Sequence, residues 1–340
     1  MSDVGGAEMI KIAFIGDPHV SDKAPSTRTD DYCNTVLNKL KFIVTTCIEE
    51  KVQAIVILGD IFHKKIPSHT SHETIRRLID IFKCDIPIFS VAGNHDINGT
   101  YNEIHRQPFS VLRESGVLNE LVPTKATTFT DGKMVVALSG SFFRETLDSK
   151  EHINEYNLSF PEDSDYNIGV FHQMILPDGQ TFFSSYVNFS DLMEVNSDLI
   201  AVGHYHVGFK GSIIRQEYKH FLNPGSMSRG STELFNLEKE PKFSIVTLEK
   251  LEDFVSVQHK DVIIPHKDSK EIFDLEAVTR KKENIKLKDF FNNLNEVEIE
   301  SLAAETPEGV LETLKRMGMN EDLSDLCMKY LIQTEGRIDS

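Results

Sequence analysis

Near its start the chain reads Lys11-Ile12-Ala13-Phe14-Ile15-Gly16-Asp17-Pro18-His19, an apolar run that ends in glycine and then in two groups able to hold a metal. Such a run, with no polar alternation, is the pattern of a strand buried on both faces. It recurs. Ala54-Ile55-Val56-Ile57-Leu58 leads into Gly59-Asp60, with His63 close behind, and the run from Ile86 to Ala92 leads into Gly93-Asn94-His95-Asp96. Asn167–Phe171 leads into His172, and Leu199–Val202 into Gly203-His204-Tyr205-His206. Strands ending this way predict one sheet edge on which their polar ends converge, where folds of this kind place ligands.

The intervening sequence supports that layout. Asp30 and Asp31 open a helix whose apolar positions Val36, Leu37, Leu40, Ile43, Val44, Cys47 and Ile48 keep the 3.6-residue period. Ser71 is the expected N-cap of a second helix over Ser71–Phe82, and a third is expected over Glu103–Glu114. From about residue 117 to 260 the texture shifts to short β-rich runs such as Met134–Leu138, Phe209–Ile214, Phe243–Leu248 and Phe254–Gln258. A βαβαβ half followed by a strand-rich half predicts an α/β fold, two packed mixed β-sheets flanked by helices. The expected domain limits are 9–265 for this unit, 266–287 for a charged linker, and 288–340 for a small helical capping region. In the last, Val310, Leu311, Leu314 and Met317 recur at helical spacing.

With 340 residues, 40% of them hydrophobic, the chain is large enough for a substantial core. Its 36 basic and 53 acidic residues leave a net charge of −17, which excludes a polybasic nucleic-acid coat. It does not exclude nucleic acid, because a bound cation can carry the attraction locally. Cys33, Cys47, Cys84 and Cys327 form no close pair, so free thiols are expected. No apolar run approaches the roughly 20 residues of a membrane helix, and the start of the chain lacks a signal-peptide pattern. The expectation is a cytoplasmic protein with no membrane contact.

The converging donors are Asp, Asn and His, with no thiolate. Oxygen and imidazole together suit manganese, iron or zinc, and not a cysteine-bound structural zinc. One Asp-x-His alone is commonly a surface feature, and an Asp after Gly is commonly a turn former. Five such clusters in series, each following a buried strand, are not explained that way.

The order Asp-x-His, Gly-Asp, Gly-Asn-His-Asp, a lone His and Gly-His-x-His resembles the calcineurin-like metallophosphoesterase superfamily, over about residues 10 to 210. The resemblance implies that Asp17, His19, Asp60 and His206 hold one divalent ion. It implies that Asp60, Asn94, His172 and His204 hold another, with Asp60 shared. Manganese is the expected metal, with ferrous iron or zinc as alternatives. Two such ions clamp the attacking and leaving oxygens of an in-line displacement. His95 is the expected general acid, oriented by Asp96.

Within the superfamily, Gly59-Asp60-Ile61-Phe62-His63 followed by Lys64 and Lys65 is similar to the SbcD-type DNA-repair nucleases, as is the Asn223-Pro224-Gly225-Ser226 loop. No Asp-Arg-Gly of the protein phosphatases follows Asp60. That resemblance implies a DNA exonuclease or endonuclease, with His63 against substrate phosphate, a homodimer, and an SbcC-like coiled-coil ATPase docked by the C-terminal helices. Lys64, Arg28 and Tyr205 are expected substrate contacts, whereas Phe62 and Phe209 suit core packing better. Two other readings compete: a phosphodiesterase for small substrates such as cyclic nucleotides, and a non-catalytic scaffold of the same fold. The full ligand set argues against the scaffold.

Overall fold

The structure is a computed structural model that describes residues 9–63, 69–97, 101–181, 185–231, 234–252 and 254–276. Lys64, residues 277–287 of the expected linker and the whole of the 288–340 region fall outside these residues. The chain divides into two compact units, Met1–Phe273 and Asp274–Ser340, of which the first carries the fold described below.

The amino-terminal half alternates as its sequence predicts. Strand β1 (Ile10–Ile15) leads to helix α1 (Tyr32–Glu49), β2 (Ala54–Ile57), α2 (His72–Phe82) and β3 (Ile88–Ser90). Asp31 caps α1 by accepting from the Asn34 N–H, and Ser71 caps α2 through the Thr74 N–H. The third helix is shorter than expected. Pro108 cannot continue a helix from before it, so a 3-10 turn over Tyr101–Arg106 precedes α3 (Pro108–Glu114).

Strands β4 (Asn119–Glu120), β5 (Thr127–Thr130), β6 (Val135–Ser141) and β7 (Tyr166–Phe171) follow. After them come a small parallel pair, β8 (Ile175–Leu176) with β9 (Val187–Asn188), then β10 (Leu199–Val202), β11 (Ile213–Gln216) and β12 (Lys219–Leu222). A short helix α4 (Leu234–Glu238), the long strands β13 (Lys242–Lys250) and β14 (Val255–Ile263), and α5 (Ser269–Ile272) complete the unit. Phe209 lies before β11 in a turn, so that strand starts later than the apolar run implied.

Two six-stranded mixed sheets result, in the orders β14-β13-β1-β2-β3-β4 and β11-β12-β10-β7-β6-β5. The division does not follow the two halves of the sequence. β13 returns to pair antiparallel with β1, from Ile10 opposite Leu248 to Phe14 opposite Ser244. Each central strand is apolar on both faces, because both faces are covered. Ile12, Phe14, Val56 and Leu58 face Val136, Leu138, Ile168, Val170 and Ala201 in one buried cluster that holds the sheets together. Ala13, Ile15, Ile55 and Ile57 face the helices instead, against Val36, Leu40, Ile43 and Leu78. Phe171, Ile200, Val202 and Phe221 do the same on the outer side of the second sheet. The layering is helices, sheet, sheet, and irregular 3-10 segments.

Candidate metal centre

Because β1, β2 and β3 run parallel, and β7 and β10 run parallel in the other sheet, their carboxyl ends emerge on a common edge. The backbone bends sharply there. Asp17, His19, Asp60 and His204 adopt positive φ of 33°, 51°, 47° and 69°. Each such residue costs about 1–3 kcal/mol, a strain that concentrates at functional sites. Gly59 (φ 94°) is required for the approach that follows, since a Cβ there would stand 2.3 Å from His172 Nδ1.

Asp60 occupies the middle of the cluster. Its Oδ1 accepts from the His95 N–H at 2.8 Å. Its Oδ2 lies 3.6 Å from His19 Nε2 on one side and 3.3 Å from His172 Nε2 on the other, with no hydrogen-bond partner among the described residues. Asp17 is arranged alike: Oδ1 accepts from the His204 N–H at 3.0 Å, and Oδ2 has no such partner. His19 Nε2 and His206 Nε2 stand 2.9 Å apart. Ligand atoms of Asp17, His19, Asp60 and His206 all lie within 4.8 Å of one another. On the far side of Asp60, Asn94 Oδ1 is 3.1 Å from both His172 Nε2 and His204 Nδ1. The His172 Nδ1–H donates to the Leu58 carbonyl at 2.7 Å, which turns Nε2 inward.

Six donors thus meet around the Asp60 carboxylate, seven residues from five loops in all, and Asp17, His19 and Asp60 carry buried atoms with no partner among the described residues. An unsatisfied buried polar atom costs about 1–3 kcal/mol. Divalent cations between these oxygens and ring nitrogens are what the donor set fits.

The electrostatics agree for three of the four imidazoles. Burial holds the His204 ring down at about 3, next to His172, and pushes His19 and His206 below their ordinary value as well. Neutral imidazoles with a lone pair are the form that ligates. Burial opposes a charge on His172, but the Asp60 and Asp17 carboxylates outweigh it and raise the ring to about 10. Asp60 stays ionised far below the usual carboxylate range, since His172 and His19 overcome the burial that opposes it.

His63 and His95 line the open side, half-buried, their rings stacked at 5.7 Å and the His19 ring edge-on to both. Together with His206 these three border a cavity of about 130 Å³. The His95 Nδ1–H donates to the His63 carbonyl, leaving Nε2 for other partners. Asp96 does not orient the His95 ring, as the sequence led us to expect. Its carboxylate accepts from the backbone N–H groups of Ile61, Phe62 and Gly93 at 3.0–3.2 Å, and so ties the Asp60 loop to the Asn94 loop. Burial, with Asp60 nearby, raises Asp96 to about 7.

Arg28 also departs from expectation. Its guanidinium is buried, paired with Asp30 at 2.7 Å, bonded to the Arg229 carbonyl at 2.6 Å, and flanked by the Tyr32 and Phe273 rings. A group so committed is structural and does not reach substrate. Tyr205 packs half-buried against the outer cluster of the second sheet, while Phe62 and Phe209 are core residues. Sequence reasoning missed three neighbours of the site. Ser226 Oγ donates to the Asp17 carbonyl at 2.8 Å, Lys239 Nζ to the His206 carbonyl at 2.6 Å, and the Phe143 ring lies 5.4 Å from that of His204. Ser226 had a signal in the Asn-Pro-Gly-Ser loop; Lys239 and Phe143 had none.

Residues 10–208 match the family described as calcineurin-like phosphoesterase. The chain is 32% identical over 115 residues to a DNA double-strand break repair protein Mre11 from Archaeoglobus fulgidus, covering 33% of this chain and 24% of that protein. It is 32% identical over 92 residues to the Mre11 of Halobacterium salinarum, covering 26% and 22%. The matched stretches thus span about a quarter of these curated relatives. Among solved structures, a dimetal phosphatase from Danio rerio is similar at a TM-score of 0.44 and 14% identity, covering 76% of this chain and 99% of that one. No helix among the described residues is long and apolar enough to cross a membrane.

Proposed function

The chain belongs to the calcineurin-like phosphoesterase family, and on that premise we propose that this phosphoesterase is a nuclease hydrolysing phosphodiester bonds of DNA with two divalent ions, manganese first among them. The observation that carries the hydrolytic chemistry is Asp60 Oδ2, open between His19 on one side and His172 on the other. DNA as substrate is supported by the likeness to the Mre11 repair proteins.

Asp17, His19, Asp60 and His206 would hold one ion, and Asp60, Asn94, His172 and His204 the other. Bound there, two cations supply the positive charge that draws a phosphodiester to an acidic protein and activate water for in-line attack. The chain's own residues do the rest. The His95 backbone fixes Asp60, and its ring faces the cavity to give a proton to the leaving oxygen from Nε2. The His63 carbonyl holds His95 Nδ1, so the donor nitrogen points to the open side. The His63 ring, stacked beside it, contacts a substrate phosphate.

An SbcC-like ATPase, a homodimer and a cytoplasmic setting belong to the same proposal, through helices that include α2 and α3 and a C-terminal region outside the described residues. The test is hydrolysis of linear, circular and hairpin DNA with Mn²⁺, run beside cyclic nucleotides and bis(p-nitrophenyl) phosphate. Cleavage of linear DNA is expected. Efficient turnover of cyclic nucleotides with linear DNA left intact would replace the nuclease with a small-substrate phosphodiesterase.

A further inference from the structure

The loop after β12 has two faces with different chemistry. Ser226, Ser228 and Gly230 line the cavity beside the histidines, joined by Ser231 and Asn236. The residues between them are committed elsewhere: Met227 packs in the core beneath the first sheet's helices, and Arg229 is bonded to Ser269. Beneath this loop lies an unusual concentration of buried cations for a chain of net charge −17. Lys39, 4% exposed, donates to the Met227 carbonyl at 2.8 Å, and Arg28 donates to the Arg229 carbonyl. Arg229 in turn holds Ser269 Oγ at 3.0 Å and the Lys267 carbonyl, with the Asp268 charge acting on it, and keeps a buried Nε with no partner among the described residues. Asp30 matches the Arg28 charge. Lys39 is held by a carbonyl, and burial together with Arg229, Arg28 and Lys239 forces its ammonium down to about 7. Buried positive charge is costly without an anion to offset it, and here it stands behind a wall of hydroxyls.

We propose that the side of this cavity lined by Ser228, Ser231 and Asn236, away from His63 and His95, binds a second phosphate group, next along the strand from the phosphodiester held at the Asp and His cluster, and so selects oligonucleotides over isolated phosphodiesters. The proposal rests on the nuclease reading and narrows it. The hydroxyls of Ser228 and Ser231 and the Asn236 amide supply hydrogen bonds to phosphate oxygens, while the cations beneath supply the field. His19 and His206 border both the donor cluster and the pocket, so a short strand can occupy the two together.

The full chain loaded with Mn²⁺ is titrated by calorimetry with thymidine 3′,5′-bisphosphate, thymidine 5′-monophosphate and thymidine 3′-monophosphate. The bisphosphate is expected to bind about tenfold tighter than the better monophosphate, the worth of one set of charge-assisted hydrogen bonds. Gly230 offers a clean way to fill the pocket, because an added Cβ meets no atom within 4 Å and its backbone is not left-handed. Gly230→Val should reduce the preference to about threefold or less, and Lys39→Met should reduce it from beneath. Equal binding of bisphosphate and monophosphate by the wild type overturns the subsite, as does a preference unchanged in both variants. A wild type that prefers the bisphosphate but leaves DNA uncut upholds the subsite and sinks the nuclease. Cleavage of DNA without that preference does the reverse.

Discussion

At Lys219 the second sheet buries a charge and satisfies it; at Asp60 the first sheet buries a charge and leaves one oxygen open. Lys219, 3% exposed at the start of β12, donates to the Val195 and Ser197 carbonyls at 2.5 and 2.6 Å. Asp198 and Glu194 add opposite charge nearby. Asp60, 1% exposed, has one oxygen fixed by a backbone N–H and the other aimed between two imidazoles, with no hydrogen-bond partner among the described residues. The lesson is that burial of a polar group does not by itself mark function. What marks it is burial combined with incomplete satisfaction, strained backbone and neighbours of the same kind.

Substitution breaks this contrast in graded ways. On the proposed two-ion assignment Asp60→Ala takes a ligand from both ion positions at once, and hydrolysis of a model diester should fall by about 10³-fold or more. It should also abolish the rise in melting temperature that Mn²⁺ gives the wild type. A variant that still hydrolyses and is still stabilised by Mn²⁺ would remove Asp60 from the centre. His95→Ala should cost about 10²–10⁴-fold in kcat with Mn²⁺ binding retained, measured by steady-state kinetics beside calorimetry. Near-normal turnover rules out proton donation by that ring.

Lys219→Met tests the other side of the comparison. It strands two carbonyls and should cost about 2–4 kcal/mol in denaturant unfolding, yet leave the kcat and KM of the folded enzyme in place. A change in kcat without a change in stability would show that Lys219 is not merely structural. A pH-dependent effect is expected at His220. Burial, with Arg215 close by, holds its ring down at about 4, against about 6.5 in an unfolded chain. On acidification the unfolded state takes up this proton first. The contribution of neutral His220 is full above about pH 6.5 and is lost as pH falls toward 4, with a slope of at most about 1.4 kcal/mol per pH unit. His220→Gln should flatten this limb in melts taken between pH 6.5 and 4. An identical limb in the variant would assign the acid sensitivity to other groups.

The central strands were legible because both their faces are buried, so hydrophobicity alone marks them, and at four of the five strand ends a glycine stands beside the donor that follows it. Asp17, Asp60 and His204 could be placed on one edge for that reason. What could not be read depends on contacts across long sequence separations. Lys39 lies within the apolar period of α1 and looks like a solvated charge until the Met227 carbonyl, 188 residues later, is found against it. Arg28 has the composition of a phosphate contact and the surroundings of a buried strut. Asp96 follows His95 directly, but its carboxylate serves three backbone N–H groups from two loops. The return of β13 to β1 was illegible too, since nothing local in Phe243–Leu248 says which sheet it joins.

That return has a consequence for how the molecule is made. β1 occupies an interior place in its sheet, with β2 on one side and a strand more than 230 residues later on the other. Until β13 has left the ribosome, β1 keeps an unpaired edge of backbone N–H and C=O groups, and Gly16 lacks the Ser226 bridge that fixes the loop bearing Asp17 and His19. A nascent chain therefore carries its first donors long before it can hold ions with them, and chelation is reserved for polypeptide whose synthesis has run past the second sheet.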